Sequence, residues 1–343
     1  MRVFHSEAHR LHFPQGELAG GELVTPFERP SRVEYVLRRL RERGFPAPDD
    51  PGPVDMGPVA AIHDAGYLDF LRTAWANWTA EGFRGEIIAT NVPARGMHLD
   101  RIPRGIEGRV GYYAHASETA ITAGTWEAAR AAAACAQAAT REVLGGARAA
   151  FALCRPPGHH ATRDQFGGYC FLNSAAVAAR MLRDGGAARA AVLDVDFHHG
   201  NGTQNIFYDD PTVLFASIHG DPRDAYPHYL GYADETGHGA GEGTNLNLPL
   251  PPGTPYADWA EALETALARI RRFGAEALVL SLGVDAYRED PISFFRLDSD
   301  DFLDMGHRIG RLALPTVICF EGGYAIEQVG VNAVNVLEGL EGA

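Results

Sequence analysis

The 343-residue sequence predicts an α/β fold, a central parallel β-sheet with helices on both faces, built as one domain over residues 1–343. Three observations carry this. From residue 148 onward, short apolar runs alternate with helical patterns, the rhythm of strands joined by crossover helices. The runs are continuous, as in Ala190-Ala191-Val192-Leu193, which suits strands buried on both faces. Four of them lead straight into clusters of ionisable residues, and open α/β sheets gather ligands at the carboxyl ends of their strands.

In chain order, Arg2–His5 reads as a short strand and Pro30–Gly44 as a helix opened by proline and closed by glycine. Phe45–Pro58, rich in Pro, Gly and Asp, reads as a surface loop. Tyr67–Glu81 sets Phe70, Leu71, Ala74, Trp75 and Trp78 at helical spacing. Gly82–Gly111 holds few periodic apolar residues and many Gly, Pro and Arg. About thirty such residues inside a compact domain mark a functional excursion. Tyr113–Leu144 is alanine-rich and reads as one or two helices, with Gly124 a break. Strands Arg148–Cys154, Arg189–Val195, Thr212–Ile218, Ala277–Gly283 and Pro315–Phe320 then alternate with helices Asn173–Asp184, Pro255–Phe273, Ser299–Arg311 and Ile326–Leu340. No repeat or low-complexity segment interrupts them.

Composition narrows the function. No apolar run reaches membrane length and MRVFHSEAHR lacks a signal-peptide core, so the cytoplasm is the default and no membrane partner is expected. Cys135, Cys154, Cys170 and Cys319 are widely spaced with no CxxC pair, and read as buried thiols of a reducing compartment. A net charge of −14 argues against nucleic acid and is compatible with cationic ligands, although an acidic surface kept for solubility is the commoner reason for such a charge. The chain has no lysine; all 30 basic residues are arginines, which excludes Schiff-base chemistry, pyridoxal phosphate and a phosphate-loop lysine.

The strand ends carry the chemistry. Arg189–Val195 carries Asp194 and runs into Asp196, His198 and His199, with Gly200 and Gly202 turning the backbone behind them. Such a cluster on a buried strand is too costly for packing, and a metal would neutralise it. Asp196, His198 and Asp285, the last at the end of Ala277–Gly283, make a three-ligand set with a position left for water or substrate. Strand Arg148–Cys154 delivers His159-His160 behind a rigid Arg-Pro-Pro-Gly, where a general base and acid are needed. Asp194 and Asn201 can orient those imidazoles, although Asn201 between two glycines also suits a plain turn. Gly322-Gly323-Tyr324 brings a phenol to the same rim, either as an oxyanion donor or as an aromatic cap on a strand-to-helix turn.

Together RPPGHH (Arg155–His160), FGGYCFLN (Phe166–Asn173), DVDFHHGNGTQ (Asp194–Gln204), SLGVDA (Ser281–Ala286) and EGGY (Glu321–Tyr324) resemble the histone deacetylase-like zinc amidohydrolases, which share the arginase-deacetylase fold. Within that family GGELVTPFE, IHDAGYLDFL, RIPRGIEGRVGYY and SETAITAGTWEAA are similar to the acetylpolyamine-hydrolysing branch. The resemblance implies one zinc per subunit on Asp196, His198 and Asp285, with His160 as general base and acid beside an electrostatic His159. It implies that Asp194 and Asn201 orient the two histidines and that Tyr324 polarises the acetyl carbonyl. Gly168, Tyr169 and Tyr226 would line the substrate channel, and a structural potassium would draw on Asp194, Asp196, His198, Ser217 and Ile218. The expected substrate is a cationic acetylated amine of the acetylputrescine, acetylspermidine and acetylspermine class. The 82–111 insertion would build a channel completed by a homodimer partner, with Glu107 and Glu118 facing the ammonium groups. A protein acetyl-lysine deacetylase, a two-manganese ureohydrolase and a vestigial acetyl-ligand binder are the alternatives. Asn201 and Tyr226 depart from the aspartate and phenylalanine common at those positions.

Overall fold

The computed structural model describes all 343 residues. Its seven-stranded sheet is parallel throughout, made of β1 (Arg2–Phe4), β4 (Ala149–Ala152), β5 (Ala190–Asp194), β6 (Val213–Gly220), β7 (Asn245–Leu250), β8 (Ala277–Leu282) and β9 (Thr316–Phe320). Their spatial order is β1-β4-β9-β8-β5-β6-β7, so the strands bearing the polar motifs occupy the centre. A small antiparallel hairpin, β2 (Glu17–Ala19) and β3 (Glu22–Val24), stands apart. The helices are α1 (Ser31–Glu42), α2 (Met56–Ile62), α3 (Ala65–Ala80), α4 (Ile106–Tyr112), α5 (Thr125–Leu144), α6 (Ser174–Asp184), α7 (Asn201–Phe207), α8 (Tyr256–Phe273), α9 (Ser299–Gly310) and α10 (Ile326–Glu341).

Alternation along each buried strand divides the core in two. Val192 of β5 joins the apolar cluster of α3, α5 and α6, which includes Phe70, Ala132, Ala136 and Ala179. Its neighbours Ala191 and Leu193 point the other way, toward Val33, Trp259, Leu263 and Leu337 of α1, α8 and α10. Both faces are therefore covered, as the continuous apolar strands require.

Three local readings need correction. The helix expected over Tyr113–Leu144 begins only at Thr125, with Gly124 at its N-terminal cap. The preceding segment is held by isolated pairings instead, Ala114 with Phe166 and Ile121 with Ile87. The loop expected over Phe45–Pro58 ends early, because the Asp55 side chain accepts from Gly57 N–H and starts α2. Strand β7 was not expected; Pro249 inside NLNLPL obscures its alternating leucines, and proline is tolerated because β7 is an edge.

Candidate active site

Every polar motif leaves the sheet at the same end, and the loops converge on one cavity of about 510 Å³. Its lining includes His160, Gly168, Tyr169, His198, Tyr226 and Tyr324, together with Glu17, Glu118 and Phe294.

At its floor one ligand atom each from Asp196, His198 and Asp285 lies within 4.8 Å of the others, all three residues buried. Backbone donors aim the carboxylates: Gly322 N–H bonds Asp196 Oδ2 at 2.8 Å and Phe197 N–H bonds Asp285 Oδ1 at 2.7 Å. His198 Nδ1 stands 2.9 Å from Asp285 Oδ2. A Cβ at Gly283 or Gly322 would overlap the Asp196 carboxylate, so both glycines are sterically required. Burial and the charge of Asp196 push Asp285 up to about 7. Burial opposes protonation of His198, yet its bonds to Asp196 and Asp285 outweigh it and raise it to about 10. Two buried carboxylates and an imidazole drawn this close, with no arginine among them, fit a divalent cation, which would relieve the repulsion and deprotonate the ring.

The histidine pair sits beside this cluster, its rings 4.0 Å apart. His159 Nδ1 bonds Asp194 Oδ2 at 3.0 Å, and His160 Nδ1 bonds Asn201 Oδ1 at 2.6 Å. An amide oxygen only accepts, so His160 carries its proton on Nδ1 and leaves Nε2 with a free lone pair. Burial, then the charges of His159 and His198, hold His160 well below the usual imidazole value. Asp194 pairs in register with Ser217 of β6, next to Ile218. His199, by contrast, turns away to Asn247 and His219.

Tyr324 is 7% exposed and lines the cavity, with burial keeping its phenol protonated. Its turn is held from below. Tyr324 N–H bonds Asp290 Oδ2 at 2.7 Å, while the Arg32 guanidinium lies 4.9 Å from the ring and donates to the carbonyls of Gly323 and Glu321. Glu321 in turn accepts from Gly158 N–H at 2.6 Å and His159 N–H at 3.1 Å, tying the phenol turn to the histidine loop. Buried Glu28 receives both Arg32 and Arg155.

The walls hold two carboxylates. Glu118 Oε1 accepts from Gly168 N–H at 2.8 Å, and Glu17 Oε1 accepts from the Tyr169 hydroxyl at 3.0 Å. Tyr169 and Gly168 both have positive φ, 64° and 56°, and the two carboxylates hold this turn from both sides. Tyr226 packs edge-on to His160 at 5.0 Å, and its hydroxyl lies 3.3 Å from His115 Nδ1. Glu107 stands outside this cavity, exposed on α4, where Asn91 Nδ2 is 3.4 Å away.

Sequence reasoning missed Glu17, Glu28, Arg32, His115, Asp290 and Glu321 as parts of the site. Only Glu321 and Glu28 carried a signal, being inside motif stretches.

The histone deacetylase domain model matches residues 26–340. The chain is 54% identical to the acetylpolyamine amidohydrolase of Mycoplana ramosa, covering all of both chains. It is 55% identical to acetylpolyamine amidohydrolase 1 of Pseudomonas aeruginosa, over all of this chain and 99% of that one. The crystal structure of acetylpolyamine aminohydrolase from Burkholderia pseudomallei superposes with a TM-score of 0.94 at 42% identity, over 99% of this chain and 98% of that one. With its parallel sheet, converging motifs and full-length matches, the chain belongs to the histone deacetylase family.

Proposed function

We propose that the chain is a zinc-dependent deacetylase that hydrolyses acetylated polyamines to the free amine and acetate. The observation that carries this is the buried Asp196, His198 and Asp285 cluster, flanked by His159-His160 and Tyr324, at the floor of a cavity walled by carboxylates. Relatives named for acetylpolyamine hydrolysis, matched end to end, support the substrate class.

Asp196, His198 and Asp285 would hold the zinc, which when bound would supply Lewis acidity toward a carbonyl and a water. The residues do the rest. His160 Nε2 takes a proton from the attacking water and returns it to the leaving amine, with Asn201 fixing its tautomer. His159, anchored by Asp194, supplies positive charge beside the developing oxyanion. The Tyr324 hydroxyl donates to that oxyanion, a contribution worth about 100- to 1000-fold in rate. Tyr169 and Tyr226 wall the alkylamine chain, and Glu118 faces the ammonium groups beyond it.

The same reading keeps a potassium ion on Asp194, Asp196, His198, Ser217 and Ile218. It treats residues 1–343 as one catalytic domain and 82–111 as the seat of a homodimer partner. Exposed Val92, Met97, Leu99 and Ile102 in that excursion support a partner seated there. Glu107 then serves the partner's channel rather than its own.

Chelation followed by metal restoration tests the reading. Acetate release from acetylputrescine should vanish on zinc removal and return with one tightly held zinc per chain. Asp285→Asn should abolish both, and turnover that survives without metal ends the proposal.

A further inference from the structure

The N-terminal stretch His5-Ser6-Glu7-Ala8-His9 lies outside the cavity. It places two imidazoles four residues apart with a carboxylate between them. The chain leaves β1 and winds into a 3-10 turn over Glu7–Leu11, capped by the Ser6 hydroxyl, which folds both histidines inward. His9 is 2% exposed and His5 9%, their ring centroids 5.0 Å apart. None of their four ring nitrogens has a hydrogen-bond partner. Leaving a buried polar group unpaired is destabilising, so two such imidazoles are costly without a ligand.

The groups around them supply the remaining donors. Glu7 Oε1 lies 3.5 Å from His5 Nε2, and one ligand atom from each of His5, Glu7 and His9 lies within 4.8 Å of the others. Glu34 of α1 approaches His9 Nε2 at 3.9 Å. Arg10 binds Glu7 through the other oxygen, Oε2, at 3.1 Å and Glu34 at 2.6 Å, so Glu7 Oε1 stays turned toward the rings. Burial lowers His5; burial, then His5 and Arg155, lower His9 to about 3. Both rings are therefore neutral at physiological pH, the form that binds metals. Two nitrogens and one carboxylate oxygen suit zinc and its neighbours and do not suit calcium or magnesium. Zinc–donor bonds of about 2.0–2.1 Å set tetrahedral donors about 3.3 Å apart, close to the 3.5 Å between His5 Nε2 and Glu7 Oε1.

We propose that His5, Glu7 and His9 form a second metal site, for a zinc-class divalent cation, separate from the catalytic cluster. The test is equilibrium dialysis of the full-length, zinc-loaded protein against Zn2+ up to about 0.1 mM, far above a micromolar Kd, with bound metal counted. Wild type should take up a second equivalent. His5→Phe, which keeps a buried ring, and Glu7→Gln, a surface change, should each weaken that equivalent at least about tenfold. Both should retain the first, which also shows that they fold. Asp285→Asn should lose the first and keep the second, so this inference and the catalytic-zinc reading fail independently. Wild-type uptake that stops at the cavity's equivalent overturns the proposal. So does a second equivalent that persists at unchanged affinity in either variant or disappears with Asp285→Asn.

Discussion

Replacing Glu118 with glutamine removes one negative charge from the cavity wall and little else. The amide keeps an oxygen for the Gly168 N–H now 2.8 Å from Oε1, so the Gly168–Tyr169 turn should survive. A carboxylate and an ammonium 4 Å apart attract by about 4 kcal/mol at an effective dielectric of 20. Glu118 is only half-buried, so solvent screening and the ammonium's own desolvation reduce this. A hydrogen bond to a charged partner nets about 1.5–3 kcal/mol, or about 10- to 150-fold. The ammonium stays charged throughout the reaction, so the loss should fall on KM rather than kcat. The assay compares kcat and KM for acetylputrescine and a neutral N-alkylacetamide of equal length in Glu118→Gln and wild type. The acetylputrescine kcat/KM should drop about 10- to 150-fold, with the neutral amide nearly unaffected. The wild-type preference should also shrink as salt shortens the screening length from about 10 Å to about 3 Å. Equal losses on both substrates would refute the argument.

Tyr324→Phe should lower kcat by about 100- to 1000-fold while the metal content is retained, measured by acetate release and metal analysis. Burial raises the Glu17 carboxyl to about 7, against the Phe27 N–H and Tyr169 hydroxyl bonds that lower it. Glu17 is therefore neutral below that pH and anionic above it. KM for acetylputrescine, relative to the neutral amide, should fall as pH rises through about 7, and Glu17→Gln should flatten that ratio. The same raised pKa withdraws stability as pH climbs from the ordinary 4.5 toward 7, so any gain in binding above pH 7 is not a gain in folding. Gly168→Ala should cost about 100-fold in turnover, because a methyl there overlaps the His160 ring at a positive-φ position and displaces the base. A variant as active as wild type would show that the ring position is not critical.

Much of this was legible because the chemistry sits where buried strands stop. Val192 and Leu193 announce a strand, and Asp194 and Asp196 follow with no packing reason to be there. The same logic found Asp285 behind ALVLSL and the EGGY turn behind TVICF. What stayed hidden acts across the fold without local periodicity. Glu17 lies in a three-residue strand, too short to show alternation. Arg32 reads as one more charge on an amphipathic helix, yet it is fully buried and reaches the carbonyls around Tyr324. Asp290 follows the Asp285 segment in a loop, and only the folded chain brings it under the Tyr324 amide. The His5–His9 spacing is visible in the sequence, but a pair of histidines on a short polar stretch carries no sign of burial, which only the 3-10 turn creates.

Deacetylation of cationic small amines in this cavity is tested most directly by kcat/KM for acetate release from acetylputrescine, acetylspermidine and acetylspermine, set against an acetyl-lysine peptide, using zinc-loaded protein. The acetylpolyamines should be turned over and preferred by at least about tenfold, one charged contact being worth that much. Preference for the peptide, or no acetate from any acetylpolyamine with zinc bound, would contradict it.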